Sequence, residues 1–98
     1  MAGAMADRDG DTLRVEGDLD FDSVAALWDA TGSLFANGPP NRIDLMGVGR
    51  SSSAGVALMV AWLGLAQRNQ RQVVFVNIPA QMQAIIAVAD LDTVLPVI

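Results

Sequence analysis

The chain has 98 residues, 52% hydrophobic and 17% charged, which suits one well-filled core, is too short for two, and excludes disorder. It contains no His, no Cys and no Lys, its six basic residues all being Arg; this removes the usual zinc sites, thiolate and imidazole chemistry, and the lysine of Schiff bases and Ser-Lys dyads. A net charge of −5, with Arg8, Arg14, Arg42, Arg50, Arg68 and Arg71 scattered along the chain, argues against nucleic acid and suits a basic partner.

Residues 1–10 are small, polar and glycine-containing, with neither the basic start nor the apolar stretch of a secretory signal. They are expected to be flexible or to form a short edge strand ending at Asp9-Gly10. Residues 11–98 read as a single domain. Thr12 to Glu16 alternates apolar and polar as a half-buried strand does, and Gly17-Asp18 is expected to end it. Asp22 is placed as the N-cap of a first helix, with Val24, Leu27, Trp28, Thr31, Leu34 and Phe35 on one face and Asn37-Gly38-Pro39-Pro40 as the stop.

Arg42 to Val48 is an apolar run around Asp44, expected to be a central strand buried on both faces. Gly49 to Gly55, GRSSSAG, is then its exit turn. Ser53 to Asn69 is helical, with Val56, Met59, Val60 and Leu63 on one face and Leu58, Trp62 and Leu65 on another, more apolar faces than one neighbour would cover. The longest apolar stretch, Ala54 to Ala66, falls short of the roughly 20 residues needed to span a bilayer, so a soluble cytoplasmic protein with no direct membrane insertion is expected. Gln72 to Asn77 is a β-branched strand. Pro79 starts a third helix with Met82, Ile85, Ile86 and Ala89 as its stripe, and Leu91 to Ile98 closes the core. This order specifies an α/β layer: a mostly parallel sheet of four to five strands, an antiparallel N-terminal strand and about three main helices. Functional loops belong at the strand C-terminal ends, where GRSSSAG lies.

Ser51-x-Ser53-x-Gly55 on a strand-to-helix turn imitates a hydrolase nucleophile elbow, but no His or Lys is available to take the serine proton. Gly47-x-Gly49 lacks the spacing and the lysine of a phosphate loop. Asp18, Asp20, Asp22 and Asp29 imitate a calcium loop, but Ser23 stands where glycine is required; a strand-end turn leading into an acidic helix start accounts for the aspartates. No catalytic residue, metal or cofactor is therefore assigned. Ser53 has a plain structural account as a helix N-terminal hydroxyl, and the surplus apolar surface of the second helix tilts the reading toward a docking surface.

Leu13-x-Val15-x-Gly17-x-Leu19-Asp20-Phe21, Ile43-Asp44-Leu45-x-Gly47-Val48 and Ser52-Ser53-Ala54-Gly55 together resemble the STAS domain, from about residue 11 to the end. Gly17 to Val24, Trp62-Leu63 and Val73 to Pro79 before Gln81-Met82 are most similar to the MlaB-like branch. That resemblance implies a STAS fold and a non-catalytic cytoplasmic subunit, peripheral at the inner membrane, that binds and regulates or stabilises the ATPase (MlaF-like) of a phospholipid ABC transporter maintaining outer-membrane lipid asymmetry. It leaves open a homodimer of the isolated chain. By position Ser53 matches the serine or threonine that is phosphorylated in anti-sigma-factor antagonists and lies in the partner-binding region of MlaB-like proteins. Arg50, Ser51, Ser52, Ala54, Gly55, Leu58 and Trp62 are the accompanying interface candidates, with Ser53 expected to cap the docking helix. Ser52 stands where that family usually has Asp, which favours docking over a phosphorylation switch. An anti-sigma-factor antagonist regulated by serine phosphorylation is the alternative, and a nucleotide-binding module a distant third.

Overall fold

A computed structural model describes residues 3–98; the part of the N-terminal expectation that falls on residues 1 and 2 lies outside them. The elements run β1 (Ala4–Asp9), β2 (Thr12–Leu19), α1 (Phe21–Leu34), β3 (Arg42–Ser51), α2 (Ser53–Arg68), β4 (Val74–Val76) and α3 (Ala80–Val88). One sheet has the order β1-β2-β3-β4, with β1 antiparallel to β2 and the remaining pairs parallel. Beyond β4 the chain returns once more: Phe75 N–H donates to Pro96 O (2.8 Å) and Ile98 N–H to Phe75 O (3.1 Å), a single parallel bridge at Val97. The expected α/β architecture and helix count are what the chain adopts.

Because the parallel strands advance across the sheet in chain order, right-handed crossovers put successive helices on the same face. Leu13, Val15, Ile43, Leu45 and Phe75 point to that face and join one core with Leu27 of α1, Met59 and Trp62 of α2, and Met82 and Ile86 of α3. The opposite face is open, which corrects the expectation that β3 is buried on both sides: Ile43 and Leu45 are buried, while Arg42 and Met46 are exposed. The open face is solvated by charge. Asp7 pairs in register with Arg14, and Arg14 with Asp44, so a row of alternating sign crosses three strands, as cross-strand neighbours prefer. Asp44 also accepts from Met46 N–H (2.9 Å) and from Asn77 Nδ2 (3.0 Å), which is why an acid tolerates the middle of an apolar run.

Two strands are longer than expected. Gly17-Asp18 does not end β2: Gly17 takes φ +95° where the pairing with β3 shifts register, and the strand continues to Leu19. β3 correspondingly runs to Ser51, so Gly49 to Ser51 of GRSSSAG is strand rather than turn.

The N-cap of α1 is Asp20, two residues before the position expected. Its carboxylate accepts from Ser23 N–H (2.8 Å) while Ser23 Oγ accepts from Asp20 N–H (2.9 Å), a reciprocal box that leaves Asp22 in the first turn. Those hydrogen bonds, the Ser23 backbone first, hold the Asp20 carboxyl below the ordinary carboxylate range. The unfolded chain therefore takes up the proton at higher pH than the folded one, and the cap's contribution is complete above the ordinary carboxylate pKa and lost as pH falls through the lowered value. Asp20→Ala is expected to lower the melting temperature at neutral pH and to converge with wild type in acid, checked by melting curves across that range; a constant offset at every pH would contradict the assignment.

The other end of α1 lacks a basic residue in its last turn, and β1 supplies one. Arg8 Nη1 donates to Leu34 O (2.9 Å) and to Gly38 O, and Nε to Gly10 O (2.9 Å). The guanidinium of the edge strand thus satisfies carbonyls that the helix leaves open.

Candidate functional site

The C-terminal ends of β2, β3 and β4 lead into the N-termini of α1, α2 and α3, so the β3–α2 junction lies at the sheet end where parallel folds present their functional loops. The junction is abrupt. β3 ends at Ser51, Ser52 is the single linking residue, and α2 starts at Ser53. Gly55 makes so sharp an entry feasible: a Cβ there would overlap Ser51 Oγ and come within 3.0 Å of the Leu19 side chain.

The cap of α2 is Ser52, not Ser53. Ser52 has extended backbone, and its Oγ accepts from Ala54 N–H at 3.2 Å, the geometry that makes serine a good N-cap. Ser53 is the first helical residue and is exposed. The correction frees its hydroxyl from the structural task assigned from sequence. Ser51 is half-buried, its Oγ donating to Ser52 O (2.9 Å), and Arg50 is exposed with its N–H donating to Asp18 Oδ1 (2.9 Å).

The remaining candidates fall inside. Ala54 and Gly55 are buried, Leu58 is 3% and Trp62 1% exposed. Trp62 Nε1 donates to Thr31 Oγ1 (2.9 Å), and its ring stands 6.1 Å from that of Phe35. The surplus apolar faces of α2 are taken up by α1, α3 and the sheet, all of which it contacts, so Leu58 and Trp62 are core and not a docking face. What α2 leaves exposed is the strip Ser53, Ala57, Val60, Gln67 and Arg68, with Ala61 and Gly64 half-buried beside it. It is uncharged from Ser53 to Gln67 and ends on Arg68, whose guanidinium lies near Gly64.

Phe21, Trp28 and Phe35 are seven residues apart and share one flank of α1. Phe35 meets Trp62 of α2, whereas Phe21 is 75% and Trp28 42% exposed. Trp28, grouped from sequence on one face with Leu27 and Thr31, is therefore a surface residue, and Phe21 went unassigned; their heptad spacing, offset from the buried Leu27 and Thr31, is the signal that separates them. Phe21 and Trp28 are thus exposed aromatic residues of α1, and the exposed hydroxyl of Ser53 stands at the N-terminal end of a small-residue strip of α2. No group of three or more metal-binding side chains occurs among the described residues. Asp18 and Asp20, read as parts of a calcium-loop mimic, are engaged in holding Arg50 N–H and capping α1.

A family model described as "Mlab, STAS domain" matches residues 3–96. The chain belongs to the STAS domain family. Its fold is similar to that of an anti-sigma factor antagonist from Mycobacterium paratuberculosis, with a TM-score of 0.78 at 22% identity over 99% of this chain and 85% of that one. It is likewise similar to a putative anti-sigma factor antagonist from Thermotoga maritima, with a TM-score of 0.74 at 14% identity over 95% of this chain and 83% of that one. A search of curated proteins returns no match. No helix among the described residues of this STAS domain is long and apolar enough to cross a membrane.

Proposed function

We propose that this STAS domain is a non-catalytic docking subunit that binds and regulates the ATPase of a phospholipid ABC transporter, at the cytoplasmic face of the inner membrane. The observation that carries the reading is the exposed Ser53 heading a strip of α2 that is uncharged as far as Gln67, with Phe21 and Trp28 exposed on α1. Small side chains let a partner's backbone approach closely, and partly exposed aromatic residues are the commonest anchors of protein interfaces. The matching family carries the Mlab description, in line with the MlaB-like resemblance, which implies an ATPase as the partner.

A charge at Ser53 discriminates the docking role from a structural one. In the isolated domain a carboxylate at the first position of α2 is favoured by the helix dipole by about 0.3–1 kcal/mol. Against an apolar partner the same carboxylate must be desolvated, costing several kcal/mol unless a cation meets it. Ser53→Asp is therefore expected to leave the melting temperature nearly unchanged and to weaken capture of the ATPase subunit at least roughly tenfold. Ser53→Ala should retain both capture and stability, since Ser52 is the cap; Ser52→Ala should lose about 1 kcal/mol of stability. Capture by Ser53→Asp as tight as wild type would sink the docking role of this turn.

The exposed hydroxyl also favours a second reading, an anti-sigma-factor antagonist switched by phosphorylation of Ser53, in line with the names of the two similar structures. Incorporation of labelled phosphate into wild type but not Ser53→Ala by a partner kinase, together with failure to bind any transporter ATPase, would select it.

A further inference from the structure

β4 stops early. Its last pairing with β3 is Val76 with Asp44, whereas β3 continues to Ser51. In a parallel ladder a residue's N–H and C=O point to the same neighbour, alternating along the strand. On the β2 side of the final stretch, Arg50 N–H donates to the Asp18 carboxylate (2.9 Å) and Ser52 N–H to Leu19 O (2.9 Å). On the other side no strand is present to receive Gly49 and Ser51, and a side chain takes its place. Ser51 N–H donates to Gln81 Oε1 (3.2 Å), and Gln81 Nε2 donates to Gly49 O.

This pairing fixes the orientation of the amide, since the flipped form would set NH₂ against N–H and oxygen against oxygen. One carboxamide therefore reproduces, over two hydrogen bonds, what a further residue of β4 would supply. Gln81 itself is exposed, in the first turn of α3, so burial does not account for its placement. It spans from α3 to Gly49 and Ser51, the alternate residues of β3 just before the cap of α2.

We infer that Gln81 is a positioning residue for the β3–α2 junction: by standing in for the missing strand it fixes where Ser52 and Ser53 project and ties that projection to α3. The inference rests on the docking role of Ser53 for its functional meaning, and on the hydrogen bonds for its structural meaning. A partner that presses on the junction is accordingly felt by α3, and displacement of α3 alters the presentation of Ser53.

The test uses the full chain carrying Gln81→Met, which keeps the side-chain length and a good helix former but removes both hydrogen bonds. Amide hydrogen exchange by NMR is expected to show Ser51 N–H exchanging roughly tenfold faster, the loss of one net hydrogen bond, with the melting temperature nearly unchanged. Capture of the ATPase subunit is expected to weaken several-fold. Unchanged exchange at Ser51 overturns the inference whatever happens to capture. Faster exchange with undiminished capture, while Ser53→Asp does reduce capture, overturns the positioning role and leaves the docking reading intact. Faster exchange with full capture by both variants shows instead that the docking reading has failed, and the positioning role with it.

Discussion

Trp62→Ala is expected to cost about 3–5 kcal/mol, the range for removing a fully buried aromatic side chain, a large share of the about 5–15 kcal/mol by which a folded domain is stable in total. The indole is among the largest fully buried side chains, and it links α2 to α1 by the hydrogen bond to Thr31 and the contact with Phe35. Trp62→Phe should be much milder, since Thr31 Oγ1 keeps its own donation to Leu27 O at 3.0 Å and no donor is stranded. Thr31→Val reverses the asymmetry: it strands the indole N–H in the core, for about 1–3 kcal/mol. Urea unfolding of the three variants checks the order; a Trp62→Ala loss below about 1 kcal/mol would return Trp62 to the surface and to the interface.

Gly17→Ala is the second large effect, expected at roughly 2–4 kcal/mol from two sources that act together. The first is backbone strain, because φ is +95° at the point where β2 changes register against β3. The second is steric: an added Cβ would overlap the Gly3 carbonyl oxygen and stand 3.0 Å from Ala4 Cα, so β1 must lift off the sheet. Gly10→Ala separates the two. It also has positive φ, +61°, but a Cβ there meets nothing within 4 Å, and the loss should be only about 1–2 kcal/mol. Denaturation midpoints give the totals, and faster amide exchange in Ala4–Asp9 should accompany Gly17→Ala alone. Equal losses at the two glycines would mean that β1 does not press on Gly17.

The periodicities of this chain announce its layers well and its junctions poorly. Alternation in Thr12–Glu16, the Asn37-Gly38-Pro39-Pro40 stop and the long apolar run of α2 each reflect a local preference that tertiary contacts did not have to override, and the α/β order follows from them. What escaped was set by partners distant in sequence. β2 outlasts its glycine because β3 receives it, and GRSSSAG is half strand because Asp18 and Gln81, 32 and 30 residues away on either side, hold its backbone. One residue of misplacement was enough to confuse a cap with an exposed hydroxyl at Ser52 and Ser53. The helix-two stripe was read as surplus because a single sequence shows how many faces are apolar, not how many neighbours will cover them. Trp28 went the other way, since an aromatic residue one position from the buried Leu27 shares its face in sequence while its side chain stands off to one side in three dimensions.

The grip of Arg8 on the carbonyls of Leu34 and Gly38 binds the fates of two segments that sequence would treat as independent. An edge strand usually peels first, at little cost to what lies beneath it. Here peeling withdraws a cation from the end of α1 and strips two carbonyls of its hydrogen bonds, so the last turn of the helix loosens in the same event. Strand and helix end thus form a single unit of local opening. A damaged N-terminus is therefore registered some 30 residues later, in the turn that sets the entry of β3.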